Sequence, residues 1–462
     1  MLKLRREPSK GALRLRPILE GSPPHPSGFR GRPGEVLDLA YDERWVGADG
    51  ASTAPEWERV GAACIAAAGE APRVALDARG LPAQFAVALG FGAVLRAWRF
   101  DRLKSQRPRQ PRRLELLVDE PDLLEAAWAR AEASLAGVLY ARELVAEPAN
   151  RLTPREFAKR LRRLRAEGIE VEVLGRSALK RLGAGGLLAV GAGSVVPPRI
   201  VILRWKGRFP APPVAFIGKG ICFDTGGISI KPAEGMETMR ADMAGAAACA
   251  GAMLAMARRK SPCPAVAILA IAENATSASS YRPGDVLRMM SGRTVEVVDT
   301  DAEGRLVLAD ALHLGATRFR PQAMLDLATL TGSVVTALGH HRAGLFGNDA
   351  ALSAAVAAAG EAVGERLWPL PIGGQHREDL KSDIADLRQC MPAGTRFTPD
   401  ASHAAAFLRE FVGGVPWVHL DIAGVETAEE DDSLAAKGSP TGFGVRLLDA
   451  LVERHFEDPH RV

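Results

Sequence analysis

Beyond about residue 165, the chain alternates between continuously apolar runs and stretches with helical periodicity. The apolar runs are short and rich in β-branched residues, which predicts buried strands, and helices are predicted over residues 239–259 and 306–314. Because such strands alternate with helices, the pattern predicts an α/β fold with a mostly parallel central sheet flanked by helices. The predicted strands are residues 171–174, 199–205, 214–218, 265–272, 294–298 and 323–330.

A smaller α/β domain is predicted before this larger C-terminal domain, which we assign to residues 165–462. Residues 35–120 contain short apolar runs separated by turn-rich stretches, and residues 121–164 predict linking helices. In the latter, Thr153 caps a helix whose first residue is Pro154. Residues 1–34 are rich in Pro, Gly and Arg, which predicts a poorly ordered lead-in that begins as a frayed basic tail.

Composition narrows the class of protein. The 462 residues carry 59 Lys and Arg against 55 Asp and Glu, a net charge of +4, so no general electrostatic attraction to nucleic acid is expected. The longest uncharged run of apolar residues and glycine, 243–257, is too short to cross a bilayer. Five scattered cysteines and the absence of an apolar leader favour a reducing compartment, and we expect a cytoplasmic protein without a membrane partner.

The strongly basic run at residues 104–113 has two interpretations. It is either a patch that binds an anion or nucleic acid, or a solvated connection between two strands. Short runs of charge often occur without function, and we favour the connection.

Candidate chemistry follows two of the predicted strands, where ligand sites of parallel sheets form. Asp299, Asp301, Glu303 and Arg305 come after residues 294–298. If this segment is extended, its last three charged side chains lie on one face, and the crowded carboxylates favour a divalent cation. The alternative is an exposed, salt-bridged strand end.

Two lysines strengthen the case for a metal site. The chain has only eleven lysines among its 59 basic residues, yet Lys219 and Lys231 flank Asp224 after the strand at 214–218, and Asp242 follows. Unlike arginine, a buried lysine near a metal can lose its proton and become a neutral ligand. The Gly226–Gly227 pair allows close approach of the backbone to a ligand. The sequence contains no P-loop, serine-hydrolase elbow or HExxH helix.

Several motifs of the chain resemble those of one known family. The segments GKGICFDTGGISIKP (218–232) and DTDAEGRLVLADAL (299–312) resemble the leucyl (cytosol) aminopeptidase family of metallopeptidases. Shorter matches, among them MRADMAGAAA (239–248), DLATLTG (326–332) and HLDIAG (419–424), extend the likeness in order over about residues 140–450.

The resemblance implies a metal-dependent aminopeptidase that hydrolyses the N-terminal residue from peptide substrates. Two divalent ions, zinc or manganese, would be held by five side chains, and a water between them would be activated for attack. Lys231 would stabilise the oxyanion, and Arg305 would hold a bicarbonate. A homohexamer is implied as well. The implied metal ligands are Lys219, Asp224, Asp242, Asp301 and Glu303.

The sequence also departs from the family pattern. Asp299 replaces the usual Asn, and Gln389 replaces another Asn. Residues 390–411 differ from the common AGxxTAxxFL pattern and carry Ser402 and His403 where a different pair of residues is usual. These changes leave the preferred N-terminal residue and the metals open. Two weaker alternatives are a DNA-binding role on the same fold and a two-metal phosphoesterase.

Overall fold

A computed structural model describes residues 2–19, 28–40, 42–106, 113–392, 394–395, 398–430 and 434–457. The chain forms two compact units. The first comprises Met1–Leu135 with Ala428–Thr441, and the second comprises Ala136–Thr427 with Gly442–Val462. Each unit is α/β, as predicted.

The first unit is built on a six-stranded sheet in the order β1-β6-β5-β2-β4-β3, in which only the pair β3–β4 is antiparallel. The helix α3 begins in this unit and ends in the second. The elements are β1 (Leu2–Arg5), β2 (Leu13–Ile18), β3 (Val36–Ala40), β4 (Glu43–Gly47), α1 (Ala54–Ala68), β5 (Arg73–Asp77), α2 (Ala83–Ala97), β6 (Arg113–Leu117) and α3 (Pro121–Val145).

The N-terminal residues depart from the expected lead-in. Leu2 and Leu15 are buried, and β1 pairs in parallel with β6 from Leu2 opposite Leu114. A poorly ordered lead-in over 1–34 is therefore wrong for β1 and β2, because burial of their leucines in the sheet outweighs the surrounding Pro, Gly and Arg. Residues 20–27 lie outside the described residues.

In the sequence, the basic run at 104–113 comes after α2 and reaches the first residue of β6, so the element before it is a helix and not a strand. Lys104 is exposed, but residues 107–112 lie outside the described residues, so the choice between a patch and a connection stays a prediction.

The second unit contains the remaining strands and helices. Thr153 caps α4 as predicted, since its hydroxyl accepts a hydrogen bond from the backbone N–H of Glu156 at 3.4 Å. The elements are α4 (Pro154–Leu161), β7 (Glu170–Leu174), α5 (Arg176–Leu182), α6 (Gly185–Val190), β8 (Arg199–Trp205), β9 (Val214–Asp224), α7 (Ala244–Arg258), β10 (Ala265–Asn274), β11 (Val286–Arg288), β12 (Thr294–Glu296), α8 (Glu303–Phe319), β13 (Ala323–Ala328), α9 (Gly332–Leu338), β14 (Ala343–Gly347), α10 (Ala350–Val363), β15 (Leu367–Pro369), α11 (Gly374–Glu378), β16 (Leu387–Arg388), α12 (Asp400–Arg409), β17 (Trp417–Asp421) and α13 (Val445–Leu451).

An eight-stranded sheet in the order β15-β14-β17-β13-β9-β10-β8-β7 forms the core of this unit. Its four central strands, β17, β13, β9 and β10, are parallel, while β7, β8 and β14 pair antiparallel with their neighbours β8, β10 and β17. The central strands are buried along most of their length. This arrangement confirms the predicted sheet and brings the carboxyl ends of β9, β10, β13 and β17 to one edge.

Three local expectations were wrong. The strand at 214–218 continues to Asp224, so Lys219 lies inside β9. The segment 294–298 contributes β12 to a separate three-stranded sheet with β11 and β16. Residues 301–305 are not extended, because α8 begins at Glu303.

The predicted helix over 239–259 is also interrupted. A short 3₁₀ helix over Met236–Ala241 precedes α7, and Asp242 lies between the two helices. All five cysteines are buried, and none forms a disulfide. Within the described part of the chain, no helix has both the length and the apolar character needed to cross a membrane.

Candidate metal centre

The centre is built at the carboxyl ends of β9 and β10. Asp224 is the last residue of β9, and Asn274 is the last residue of the neighbouring β10. Oδ1 of Asp224 accepts hydrogen bonds from Nδ2 of Asn274 at 2.8 Å and from the backbone N–H of Gly226 at 2.9 Å. These two donors fix the orientation of a carboxylate that is 2% exposed.

A tight glycine turn follows Asp224. Gly226 and Gly227 have φ values of +83° and +69°, a region that disfavours side chains with a Cβ. A Cβ at Gly226 would lie 2.4 Å from the backbone oxygen of Ser229. The turn reverses the chain, and the backbone N–H of Lys231 donates to the oxygen of Thr225 at 2.9 Å.

Three carboxylates converge around Lys219. One oxygen each from Asp224, Asp242 and Glu303 lies within 4.8 Å of the others. Nζ of Lys219 is 2.7 Å from Oδ1 of Asp242 and 2.8 Å from Oε1 of Glu303. It also donates to the backbone oxygen of Thr329 at 2.9 Å. Lys219 is therefore held among groups that are themselves possible ligands.

The cluster leaves two acceptor atoms without donors. Within the described residues, Oδ2 of Asp242 and Oε2 of Glu303 are buried and have no hydrogen-bond partner. Burial raises the pKa of Asp242 well above its usual value, against the opposing charge of Lys219. Burial and the charge of Asp224 likewise raise the pKa of Glu303. Unpaired buried carboxylate oxygens are costly, and a bound cation would satisfy both.

Lys231 and Asp301 complete the cluster. Nζ of Lys231 is 3.0 Å from Oδ2 of Asp224 and 2.5 Å from Oδ1 of Asp301. Burial and the charge of Asp224 raise the pKa of Asp301 to about 7. Burial lowers the pKa of Lys231, but the carboxylates of Asp224 and Asp301 outweigh it and raise that pKa overall. Lys231 is thus held as an ammonium ion.

The charge balance of the cluster also favours a cation. Four carboxylates surround two ammonium groups. Burial opposes the charge of Lys219, yet Asp242, Glu303 and Asp224 together raise its pKa. A lysine with such partners keeps its proton until a competing positive charge arrives. The six groups are Lys219, Asp224, Lys231, Asp242, Asp301 and Glu303.

Arg305 is buried beside this cluster but has different partners. Its Nη1 donates to the backbone oxygen of Gln389 at 2.9 Å, and its Nη2 donates to Oδ1 of Asp400 at 3.0 Å. Within the described residues, Nε of Arg305 is buried without an acceptor. Six of the seven predicted site residues therefore lie in one cluster, and the seventh, Arg305, forms a separate ion pair with Asp400.

The two unusual polar residues noted above act on the backbone of the motif. Oδ1 of Asp299 accepts from the backbone N–H of Asp301 at 2.9 Å. Gln389 accepts from the backbone N–H of Val298 and donates to the backbone oxygen of Asp299, each at 2.6 Å. Both side chains therefore stabilise the turn that leads into α8.

Several residues that support the cluster were not predicted from the sequence. Asn274 orients Asp224, and the hydroxyl of Thr329 donates to Oδ1 of Asp242 at 2.6 Å. Asp421 in turn holds the segment after Thr329, since it accepts from Leu330 N–H at 3.0 Å and from the Thr331 hydroxyl at 2.7 Å. Asn274 and Thr329 lie close to the ends of the predicted strands 265–272 and 323–330, which is the signal that could have identified them. No strand was predicted before Asp421, which ends β17.

The chain is similar to known proteins along most of its length. The model of the cytosol aminopeptidase family, catalytic domain, matches residues 139–449. The chain belongs to the cytosol aminopeptidase family. A probable cytosol aminopeptidase from Brucella anthropi is 43% identical over 424 residues, which cover 89% of this chain and 84% of the relative. The corresponding protein from Caulobacter vibrioides is 45% identical over 386 residues, or 82% and 77% of the two chains.

Solved structures of cytosol aminopeptidase-like fold are also similar. The bottromycin maturation enzyme BotP in complex with Mn superposes with a TM-score of 0.88 at 36% identity, over 97% of this chain and 100% of that one. A second BotP structure gives a TM-score of 0.86 at 37% identity, over 96% and 98%.

Membership of the cytosol aminopeptidase family makes the chain a metal-dependent aminopeptidase, a hydrolase that acts on peptides. The family's enzymes use two metal ions, and the acidic cluster described above is where this chain could bind them. The family assignment and the α/β fold predicted from the motifs are confirmed.

Proposed function

We propose that this chain removes the N-terminal residue of peptides at a two-metal centre formed by Lys219, Asp224, Asp242, Asp301 and Glu303. The observation that carries the proposal is the pair of buried, unpartnered oxygens on Asp242 and Glu303 within the described residues. Lys219 contacts the other oxygen of each carboxylate, but among the described residues these two atoms have no hydrogen-bond donor. Carboxylate oxygens are natural ligands of divalent cations.

The ligands divide into two overlapping sets. Lys219, Asp224, Asp242 and Glu303 would hold one ion, and Asp224, Glu303 and Asp301, with its backbone oxygen, would hold the other. Zinc and manganese both suit this donor set, and the similar BotP structure contains Mn. When bound, the pair of ions supplies a water that is acidic near neutral pH and polarises the peptide carbonyl.

The chain's own residues contribute the rest of the chemistry. Lys231 remains protonated between Asp224 and Asp301, so its ammonium can stabilise the negative charge that develops on the carbonyl oxygen. Lys219 would release its proton when an ion displaces it from Asp242 and Glu303, and would then offer a neutral nitrogen.

Arg305 would hold an anion close to the metal centre, because its rigid fork of donors matches a planar carboxylate or carbonate. The resemblance implies bicarbonate. In the structure, the carboxylate of Asp400 contacts this guanidinium.

Two wider predictions rest on the resemblance alone. A homohexameric assembly and a cytoplasmic location are typical of the family that the motifs indicate. They remain predictions for this chain.

Metal removal and replacement test the proposed function. After chelation and dialysis, verified by elemental analysis, we expect hydrolysis of aminoacyl amides to fall to background and to return when Mn²⁺ or Zn²⁺ is added. A panel of aminoacyl amides would also identify the preferred N-terminal residue. Full activity in protein shown to be metal-free would contradict the proposal, and activity on nitrophenyl phosphate alone would favour a phosphoesterase.

The matched variants are Glu303→Gln and Glu410→Gln. Glu303→Gln removes a charge from the cluster, and we expect it to reduce metal content and activity together. Glu410→Gln removes a carboxylate that pairs with Arg293 and Arg377, both at 3.2 Å, and should change neither.

A further inference from the structure

In this chain the guanidinium of Arg305 already contacts an acidic side chain. A site for bicarbonate would instead leave the guanidinium available to a dissolved anion. Arg305 is 3% exposed, and the side chain of Asp400 is 38% exposed. Their contact, Nη2 to Oδ1 at 3.0 Å, joins α8 to the first residue of α12 across 95 positions of sequence. A buried guanidinium needs a compensating charge, and here the chain itself provides one.

Asp400 lies in the segment whose sequence departs from the AGxxTAxxFL pattern. When that pattern is counted back from Phe407 and Leu408, its glycine falls on Asp400. A glycine at this position could not contact Arg305 through a side chain. The substitution therefore introduces a carboxylate at the start of α12, where it contacts the guanidinium of Arg305.

We propose that Asp400 is the anion held by Arg305, and that this enzyme consequently needs no bicarbonate. The inference rests on the proposed function, because it concerns the anion position of the same centre. Carboxylate and bicarbonate present the same planar pair of oxygens to a guanidinium. A carboxylate attached to α12 has a high effective concentration, so it outcompetes a dissolved anion of equal intrinsic affinity.

A helix-capping role alone does not account for Asp400. An acidic residue in the first turn of α12 interacts favourably with the helix dipole. That role is fulfilled by a side chain directed at its own backbone or at solvent, and it does not require contact with a buried arginine of another helix. Asp400→Asn and Asp400→Gly separate the two roles, because asparagine preserves a polar group of the same shape at the helix start.

The test measures bicarbonate dependence in the full-length, metal-loaded enzyme. Wild type, Asp400→Gly, Asp400→Asn and the control Glu410→Gln are assayed on an aminoacyl amide in degassed, bicarbonate-free buffer and again with added bicarbonate. We expect wild type and the control to change by less than about twofold. In this proposal the anion held by Arg305 transfers the proton during hydrolysis, and such groups contribute at least about tenfold to the rate. Without bicarbonate, Asp400→Gly should therefore lose at least about tenfold in kcat, and bicarbonate should restore most of it.

The outcomes are distinct. Stimulation of wild type to the same extent as Asp400→Gly would overturn the inference, as would full activity of Asp400→Gly in bicarbonate-free buffer. A folded, metal-loaded Asp400→Gly that loses activity and is not restored by bicarbonate would also overturn it.

A binding measurement separates this inference from the proposed function. Calorimetric titration with bicarbonate should detect binding to Asp400→Gly and none to wild type, whether or not the protein hydrolyses peptides. Binding to wild type with equal affinity would refute the role of Asp400. Absence of all hydrolysis by metal-loaded wild type, with the binding difference intact, would instead refute the proposed function.

Discussion

Lys219 and Lys231 carry the same charge in different surroundings, and this difference separates their expected roles. Lys219 is 3% exposed and has three oxygen atoms within hydrogen-bond distance of Nζ. The side chain of Lys231 is 22% exposed and pairs with Asp224 and Asp301 at the open side of the cluster. The buried lysine is thus suited to bind a metal, and the more accessible one to contact substrate.

Replacement of Lys231 by arginine tests this distinction. Arginine preserves the positive charge but spreads it over a planar fork, which cannot reproduce the position of a compact ammonium. We expect metal content measured by elemental analysis to remain at the wild-type value, while kcat falls by about 100-fold. Unchanged turnover in Lys231→Arg would remove this residue from the mechanism.

The titration of Asp301 predicts a pH dependence of metal binding. Its pKa is raised to about 7 in the metal-free protein, so below pH 7 a proton competes with the cation for the carboxylate. We expect Mn²⁺ affinity to increase between pH 6 and pH 8, by roughly tenfold for each pH unit below the pKa. Calorimetric titrations at pH 6, 7 and 8 measure this. An affinity that falls with increasing pH would contradict it.

At the scale of elements, the centre depends on how β17 supports the turn after β13. Asp421, the last residue of β17, accepts hydrogen bonds from Leu330 and Thr331. The preceding residue, Thr329, uses its carbonyl for Lys219 and its hydroxyl for Asp242. Asp421 is therefore a positioning residue that acts on two predicted ligands without touching a metal.

Asp421→Asn tests this support. An amide can accept at only one of the two positions that the carboxylate fills, so we expect a loss of about 1–3 kcal/mol in the free energy of unfolding. Metal affinity should fall as well, because Thr329 loses its fixed position. Urea unfolding and Mn²⁺ titration measure the two effects. Glu361→Gln, which disrupts an exposed ion pair with Arg366, is the control and should change neither.

At the scale of the whole molecule, every predicted metal ligand belongs to the second unit, Ala136–Thr427 with Gly442–Val462. An ion that binds only the folded state stabilises the unit that holds it, by about 2.7 kcal/mol when its concentration is 100 times its Kd. We expect added Mn²⁺ to slow amide hydrogen exchange in β9 and α8 by about 100-fold and to leave β5 and β6 unchanged. Equal protection of both units would contradict a centre confined to the second.

The sequence predicted which charged residues lie together better than it predicted their local conformation. Asp301 and Glu303 of the acidic motif at 299–305 do contact Lys231 and Lys219, although the prediction from the motif assumed an extended segment. The motif did not show that α8 begins at Glu303, since the same residues suit a strand end. The strand β9 was predicted too short because its glycines resemble a loop. Gly218 in fact lets α7 pack closely, as a Cβ there would lie 2.5 Å from Cα of Ala246.

Local sequence patterns could not predict contacts between residues that are far apart in the sequence. The pairing of Leu2 with Leu114, and of Arg305 with Asp400, each joins segments about 100 residues apart. Neither segment alone indicates its partner, because the pairing is decided by the topology of the whole unit. The sequence therefore predicted a frayed tail, and the family resemblance implied a bicarbonate, not Asp400, as the partner of Arg305.

The order of the candidate ligands along the chain makes a split enzyme feasible. A break in the turn between α7 and β10 would leave Lys219, Asp224 and Asp242 on one fragment and Asp301 and Glu303 on the other. Neither fragment alone would carry the complete set of donors. Hydrolysis of a fluorogenic peptide would then require both fragments. The activity could therefore be used to measure their association.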